Sequence, residues 1–237
     1  MAANPFPDHA HGVPLADLDS IPGLETVVVT PFEQNCSVLF DPATRRGAVI
    51  DPGGDVARIM SRIGELGVTV EAVLLTHGHL DHAGGAEELR RALPPAPGGQ
   101  PIQVIGPDRR DEFLLSNISR QAAAYGVTGL HDAFPDRWLT SGETLAFAGR
   151  ALEVLFVPGH TPGHVAFFDR NGRLLIGGDT LFAGSVGRTD LPQGDGPLLV
   201  RSIRAALLPL GDAVTVIPGH GPRTRIGDER RGNPFLQ

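Results

Sequence analysis

The sequence predicts an α/β (α+β) fold in which two sheets pack back to back and helices cover the outer faces. Short apolar runs of strand length recur in both halves of the chain. Each half also carries segments of helical periodicity, and the strands end in turns rich in Gly and Pro. Val70–Leu75 is nearly all apolar, as a strand buried on both faces must be.

Residues 1–23 read as a loose arm, with His9 and His11 as solvated tail residues. Glu25–Thr30 and Cys36–Phe40 read as strands joined by a turn at 31–35, and residues 41–47 connect them to a returning strand, Ala48–Ile50. Asp51-Pro-Gly-Gly54 is a breaker, after which Asp55 is placed to cap a helix running to Leu66. Strand Val70–Leu75 leads into a helix at Ala83–Ala92. A Pro/Gly loop at 94–99, a short strand Ile102–Ile105 and one helix from Asp108 to about Tyr125 follow. Phe113, Leu114, Ile118 and Ala122 recur there at helical spacing. His131 lies beyond it without a ligand pattern and reads as structural or exposed. In the second half, Leu152–Val157 is a strand, and Val165–Phe168 with Leu174–Ile176 form a hairpin around Asp169-Arg-Asn-Gly172. A helix over Pro197–Leu208 and a strand over Ala213–Ile217 complete the series. No linker divides residues 24–237, so they are expected to form one domain.

Composition narrows the function. At 237 residues, 41% apolar and 20% charged, the chain has the make-up of a globular protein with a sizeable core. A net charge of −7 argues against a nucleic-acid partner. All 20 cations are arginines, which excludes a lysine nucleophile or Schiff base. The single cysteine, Cys36, sits in a strand-like run and reads as a buried small hydrophobe. The N-terminus has no basic start followed by an apolar segment, and no stretch approaches the roughly 20 apolar residues of a membrane span. Cytoplasmic placement is the expectation.

The chemistry is concentrated in Thr76-His-Gly-His-Leu-Asp-His82, which follows the apolar run ending at Leu75. Side chains alternate along a strand, so His77 and His79 point to one side; Asp81 and His82 come after the chain has turned. One strand end can thus serve two metal ions. Three further strand ends bring His160, Asp179 and His220, each beside Gly or Pro.

This H-x-H-x-D-H string with its later partners resembles the metallo-β-lactamase superfamily. The resemblance implies a four-layer αβ/βα sandwich with two mixed sheets and a site at one edge. It further implies that His77, His79 and His160 bind one metal, that Asp81, His82 and His220 bind a second, and that Asp179 bridges them. His164, four residues after His160, is then not a ligand and is left to hydrogen bonding or packing. The string Gly177-Gly-Asp-Thr-Leu-Phe182 through Pro192, with Ile217–Pro222, is similar to short, single-domain bacterial relatives of glyoxalase II. These members are hydroxyacylglutathione hydrolase-like, and they imply a small-molecule thioester substrate such as S-lactoylglutathione. A metal-bridging hydroxide oriented by Asp81 is the expected nucleophile, which makes Asp81 and Asp179 the catalytic residues. Five imidazoles and two carboxylates suit two Zn²⁺ ions, with Fe or Mn also compatible. Phe182 is a candidate for the acyl pocket, beside Leu181 and Val186. Arg188, Arg223 and Arg225 are candidates for gripping a substrate carboxylate. The same fold also hosts mononuclear-iron persulfide dioxygenases, whose three ligands match His77, His160 and Asp179, and lactonases.

Overall fold

The computed structural model describes residues 20–237. His9 and His11 lie outside the described residues. Thirteen strands, seven α-helices and a few 3₁₀ and π turns make up this part of the chain. Strands β1 (Leu24–Val29), β2 (Gln34–Phe40), β3 (Arg46–Ile50), β4 (Thr69–Leu74) and β5 (Gln103–Ile105) form the first sheet in that order. Its first three strands pair antiparallel, and β3–β4 and β4–β5 pair parallel. The second sheet runs β13-β12-β9-β8-β7-β6. It comprises β6 (Thr144–Phe147), β7 (Arg150–Phe156), β8 (Val165–Asp169), β9 (Leu174–Gly178), β12 (Thr215–Pro218) and β13 (Thr224–Arg225). Only β9–β12 is parallel there, so both sheets are mixed. A two-stranded ribbon, β10 (Leu181–Phe182) with β11 (Ser185–Val186), lies beside them.

The strands are apolar on both faces because each sheet has two covers. Along β2, Val38 and Phe40 enter the layer under the helices, whereas Leu39 enters the layer between the sheets. β3 alternates the same way, with Val49 outward and Ala48 and Ile50 inward. In β8, Val165 and Phe167 face the inter-sheet layer, and Ala166 and Phe168 face the opposite cover. The first cover consists of α1 (Val56–Leu66), α3 (Ala86–Ala92) and α5 (Ile118–Ala124), through residues such as Ile59, Leu89 and Ile118. The second is α6 (Gly196–Ser202) with its continuation, through Leu199, Ile203 and Leu207. Three apolar layers between four structural layers give the helix–sheet–sheet–helix sandwich that the sequence predicts. Cys36 is fully buried in the first of these layers.

Several elements depart from the sequence reading. The helix expected over 108–125 is broken into a 3₁₀ turn at Arg109–Asp111, α4 (Glu112–Leu115) and α5. Ser116 Oγ and Asn117 Nδ2 donate to the carbonyls of Glu112 and Phe113, so side chains take over the acceptors that a continuing helix would use. The helix expected at Ala83 begins earlier, as α2 (Leu80–Ala83), and Gly84 and Gly85 separate it from α3. The helix expected over 197–208 passes through a π turn at Ile203–Leu207 into a 3₁₀ turn containing Pro209, which lacks the N–H to continue. Asp55 does not cap α1 with its side chain. It adopts a left-handed conformation, and its carboxylate accepts the N–H of Thr30 instead. β6, the ribbon, β13 and α7 (Ile226–Gly232) are too short or too polar to stand out as periodic elements. Residues 21 and 22, read as part of the arm, are engaged: Ile21 bridges Leu24, and Pro22 O accepts from Arg150.

Candidate metal centre

The seven residues converge where strands of both sheets end. β4 stops at Leu74, and the extended chain after it carries His77 and His79, with His79 at the N-cap of α2. One helical turn then swings Asp81 and His82 away from that line. From the second sheet come His160 after β7, Asp179 after β9 and His220 after β12. Main-chain bonds hold the edges together: Val165 N–H donates to Thr76 O, Gly219 N–H to Gly178 O, and Asn35 N–H to Gly219 O. At Gly219 a Cβ would collide with Asp179 Oδ1 and lie 2.6 Å from His82 Cε1, so only glycine admits this approach.

Two sets of donor atoms result. His77 Nε2, His79 Nδ1 and His160 Nε2 lie 2.8–3.2 Å from one another. His220 Nε2 lies 3.2 Å from Asp81 Oδ2 and 3.4 Å from His82 Nε2. Asp179 sits between the sets, with Oδ2 3.5 Å from His160 Nε2 and 3.6 Å from His220 Nε2, and Oδ1 3.3 Å from His82 Nε2. Asp179 Oδ1 is buried and has no hydrogen-bond partner.

The far nitrogens explain why lone pairs, not N–H groups, point inward. Carbonyls and carboxylates only accept, so His160 Nδ1–H donates to Arg188 O (2.6 Å), His220 Nδ1–H to Phe32 O (3.0 Å) and His82 Nδ1–H to Asp51 Oδ2 (3.0 Å). Thr76 Oγ1 donates its proton to Asp51 Oδ2 (2.6 Å), which leaves it to accept His77 Nδ1–H (3.0 Å). When neutral, these four imidazoles are thereby held in the tautomer whose Nε2 is open to a metal ion. Bare nitrogens this close repel unless a cation lies among them, and the orphaned Asp179 oxygen needs the same partner. The donor set therefore fits metal ions.

Electrostatics divides the sets. Burial, then the neighbouring imidazoles, lower the pKa of His77 well below its usual value and that of His79 to about 3. His160 is lowered too, again chiefly by burial. Burial opposes charge on His82 as well, but Asp179 and Asp81 outweigh it and raise His82 well above its usual value. His220 is raised against its own burial by the hydrogen bond with Asp81 and the charge of Asp179. Burial likewise disfavours the Asp179 carboxylate, yet His82, His160 and His220 hold its pKa far below the usual range.

The centre forms the floor of a cleft of about 760 Å³, within the usual range for small-molecule sites. Its walls are largely apolar, with Phe32, Phe113, Tyr125, Phe182, Val186 and Leu191 among them. Phe182 and Val186 face the cleft, whereas Leu181 belongs to the core. Arg188 reaches the rim, where its guanidinium forms two 2.7 Å bonds with Asp190. Arg223 and Arg225 do not line this cleft: Arg223 bonds Thr26 Oγ1, and Arg225 pairs with Thr215 in the sheet. His164 stays off the floor; its Nε2 accepts Asp179 N–H (3.0 Å) and its ring stacks on His77. His131 is exposed.

Two buried carboxylates escape a reading by motif. Asp51, taken from sequence as part of a breaker, orients His82 directly and His77 through Thr76. Its signal was an acidic residue at a strand end beside glycines, the pattern that marks Asp179. Asp111 accepts from Gly78 N–H, Thr161 Oγ1–H and Gly163 N–H. Desolvation raises its pKa to about 6 despite these bonds. Nothing distinguishes it in the charged run Asp108–Glu112.

A four-layer sandwich with a buried His/Asp centre at the edge of both sheets points to a class of metal-dependent enzymes. Residues 29–220 match the sequence profile of the metallo-beta-lactamase superfamily, and the chain belongs to it. It is 42% identical to hydroxyacylglutathione hydrolase GloC of Haemophilus influenzae over 214 residues, covering 90% of this chain and 97% of that protein. Among solved structures, it is similar to TTHA1623 in a di-iron-bound form, with a TM-score of 0.79 and 36% identity over 90% of this chain and all of that one. It is also similar to BLEG-1 B3 metallo-beta-lactamase, with a TM-score of 0.80 and 32% identity over 90% of this chain and 99% of that one. The protein is a metallo-hydrolase of this superfamily. Among the described residues no helix is long and apolar enough to cross a membrane.

Proposed function

We propose that the protein hydrolyses a small-molecule thioester of the S-lactoylglutathione type at a binuclear metal centre. In this reading His77, His79 and His160 would hold one ion, Asp81, His82 and His220 would hold the other, and Asp179 would serve both. The convergence of imidazole nitrogens on both sides of one buried carboxylate is the observation that carries it. The likeness to a hydroxyacylglutathione hydrolase supports the thioester as substrate. Zn²⁺ suits the nitrogen-rich donor set, and iron is compatible with it.

The bound ions would supply Lewis acidity for the acyl carbonyl and a water acidic enough to attack near neutral pH. The chain's own residues do the rest. Asp81 stands at the cleft floor, where its carboxylate is ionised because His82 and His220 outweigh its burial. It accepts a hydrogen bond from the attacking water and so aims the oxygen at the acyl carbon. Phe32, Phe113 and Phe182 exclude competing solvent. The water oxygen bonds to the acyl carbon and the C–S bond breaks; one water proton ends on the departing sulfur, the other is released to solvent, and a carboxylate and a thiol leave. No side-chain nucleophile is required; Cys36 is buried away in the core.

The test is loss of the thioester of S-lactoylglutathione, with chelator-stripped protein as control. Metal-dependent hydrolysis is expected. No turnover by protein shown to hold its metals would overturn the thioesterase reading.

A further inference from the structure

We propose that Asp111 is a positioning residue for one metal site alone, the one formed by His77, His79 and His160. This inference rests on the ligand sets proposed above. Asp111 is fully buried and stands outside both sets. Its Oδ2 accepts Gly78 N–H at 2.9 Å and Thr161 Oγ1–H at 2.7 Å, and its Oδ1 accepts Gly163 N–H at 2.6 Å. Gly78 lies between His77 and His79, and Thr161 follows His160. One carboxylate thus ties together the two loops that bring all three nitrogens, one loop from each sheet.

The contact is built from both sides. A Cβ on Gly78 would lie 2.8 Å from Leu114 Cβ and 3.0 Å from Asp111 O. A Cβ on Gly163 would lie 2.7 Å from Asp111 Oδ1, from Asp111 N and from Asp108 O. Asp108 N–H donates to Gly163 O, closing the same junction from the main chain. The 3₁₀ turn at Arg109–Asp111 can approach both loops only because glycine occupies each point of contact.

The second set has different supports. His82 is held by Asp51, and His220 by Phe32 O and by the bonds of Asn35 to the carbonyls of Pro218 and Gly221. No contact of Asp111 reaches these groups. Asp111 therefore sets the spacing of the first three nitrogens and leaves the second site unaffected.

Asp111→Asn keeps the shape but must turn an amide N–H toward one of three donors. Two reference variants isolate the sites: His220→Ala leaves the first set intact, and His160→Ala leaves the second. Zn²⁺ affinity is measured by chelator competition, and Co²⁺ absorption reports coordination geometry. In the His220→Ala background, Asp111→Asn should weaken Zn²⁺ by about 10–100-fold and alter the Co²⁺ bands, the size typical of losing a group that orients a ligand. In the His160→Ala background, affinity should stay within about twofold, a split that a general loss of stability would not produce. Thr161→Val, which removes one of the three donors, should weaken the first site alone and to a smaller degree. It decides by the same criterion if Asp111→Asn does not fold. Equal weakening of both sites, or of neither, overturns the proposal. If His160→Ala and His220→Ala do not each remove one ion, the ligand reading itself fails.

Discussion

Replacing Asp51 with Asn tests how the centre fixes its imidazole tautomers. The Asp51 carboxylate accepts Thr76 N–H at 2.7 Å through Oδ1, and Thr76 Oγ1–H at 2.6 Å and His82 Nδ1–H at 3.0 Å through Oδ2. An Asn amide N–H at the Oδ1 position would face the N–H of Thr76. At the Oδ2 position it would face His82 Nδ1, which could then accept only by moving its proton to Nε2, into the metal site. Either placement leaves a buried donor opposed, at a cost of about 1–3 kcal/mol. The metal-free variant should therefore melt lower by about 3–10 °C. Zn²⁺ affinity should fall about 10–100-fold at the second site through His82, and by less at the first through Thr76 and His77. Chelator competition and thermal melting on metal-free and reloaded protein read these effects. If Asp51→Asn binds both ions within twofold of the parent, the tautomer argument is wrong.

Further outcomes follow from the same geometry. Gly219→Ala drives a methyl group onto Asp179 Oδ1, so metal content and activity should be lost while the circular dichroism spectrum stays folded, with about 1–3 kcal/mol lower stability. Acid should empty the second site first. A proton competes with metal below the free-protein pKa of each nitrogen; His82 and His220 are raised and thus compete from above their usual value, whereas His79 competes only near pH 3. Metal analysis after dialysis at stepwise lower pH should show one ion leaving well before the other; simultaneous release would refute it. Phe182→Ala removes part of the cleft wall beside His220 and should lower kcat/KM for the thioester by roughly fivefold, about 1 kcal/mol, with both ions retained.

The residues of the centre were legible because each stands at the end of an apolar run, beside Gly or Pro, where packing alone gives no reason for His or Asp. The layering was legible for a related reason, since strands such as β4 and β8 place apolar residues at consecutive positions, on both faces, only when both faces are covered. What supports the centre was harder to see. Asp111 acts through contacts with segments 33 and 52 residues away, and no local pattern encodes them. The break at Ser116–Asn117 escaped because periodicity marks which face is apolar, not whether side chains capture the helix carbonyls. Of the three arginines considered for a substrate carboxylate, only Arg188 reaches the cleft, because residue type does not say which way a rim side chain turns.

The donors of the centre come from both sheets: His77, His79, Asp81 and His82 follow β4 of the first, and His160, Asp179 and His220 follow strands of the second. Ions bound there would rivet one end of an interface that is otherwise held by apolar packing of residues such as Leu39, Leu74 and Phe167. An unfolded chain offers no such cage, so each tenfold rise in free metal adds about 1.4 kcal/mol per occupied site to the stability of the native sandwich. Metal supply would thus be a thermodynamic variable of the fold as well as of the proposed reaction. Starvation for the ion would loosen the seam between the two halves at the same end where substrate enters.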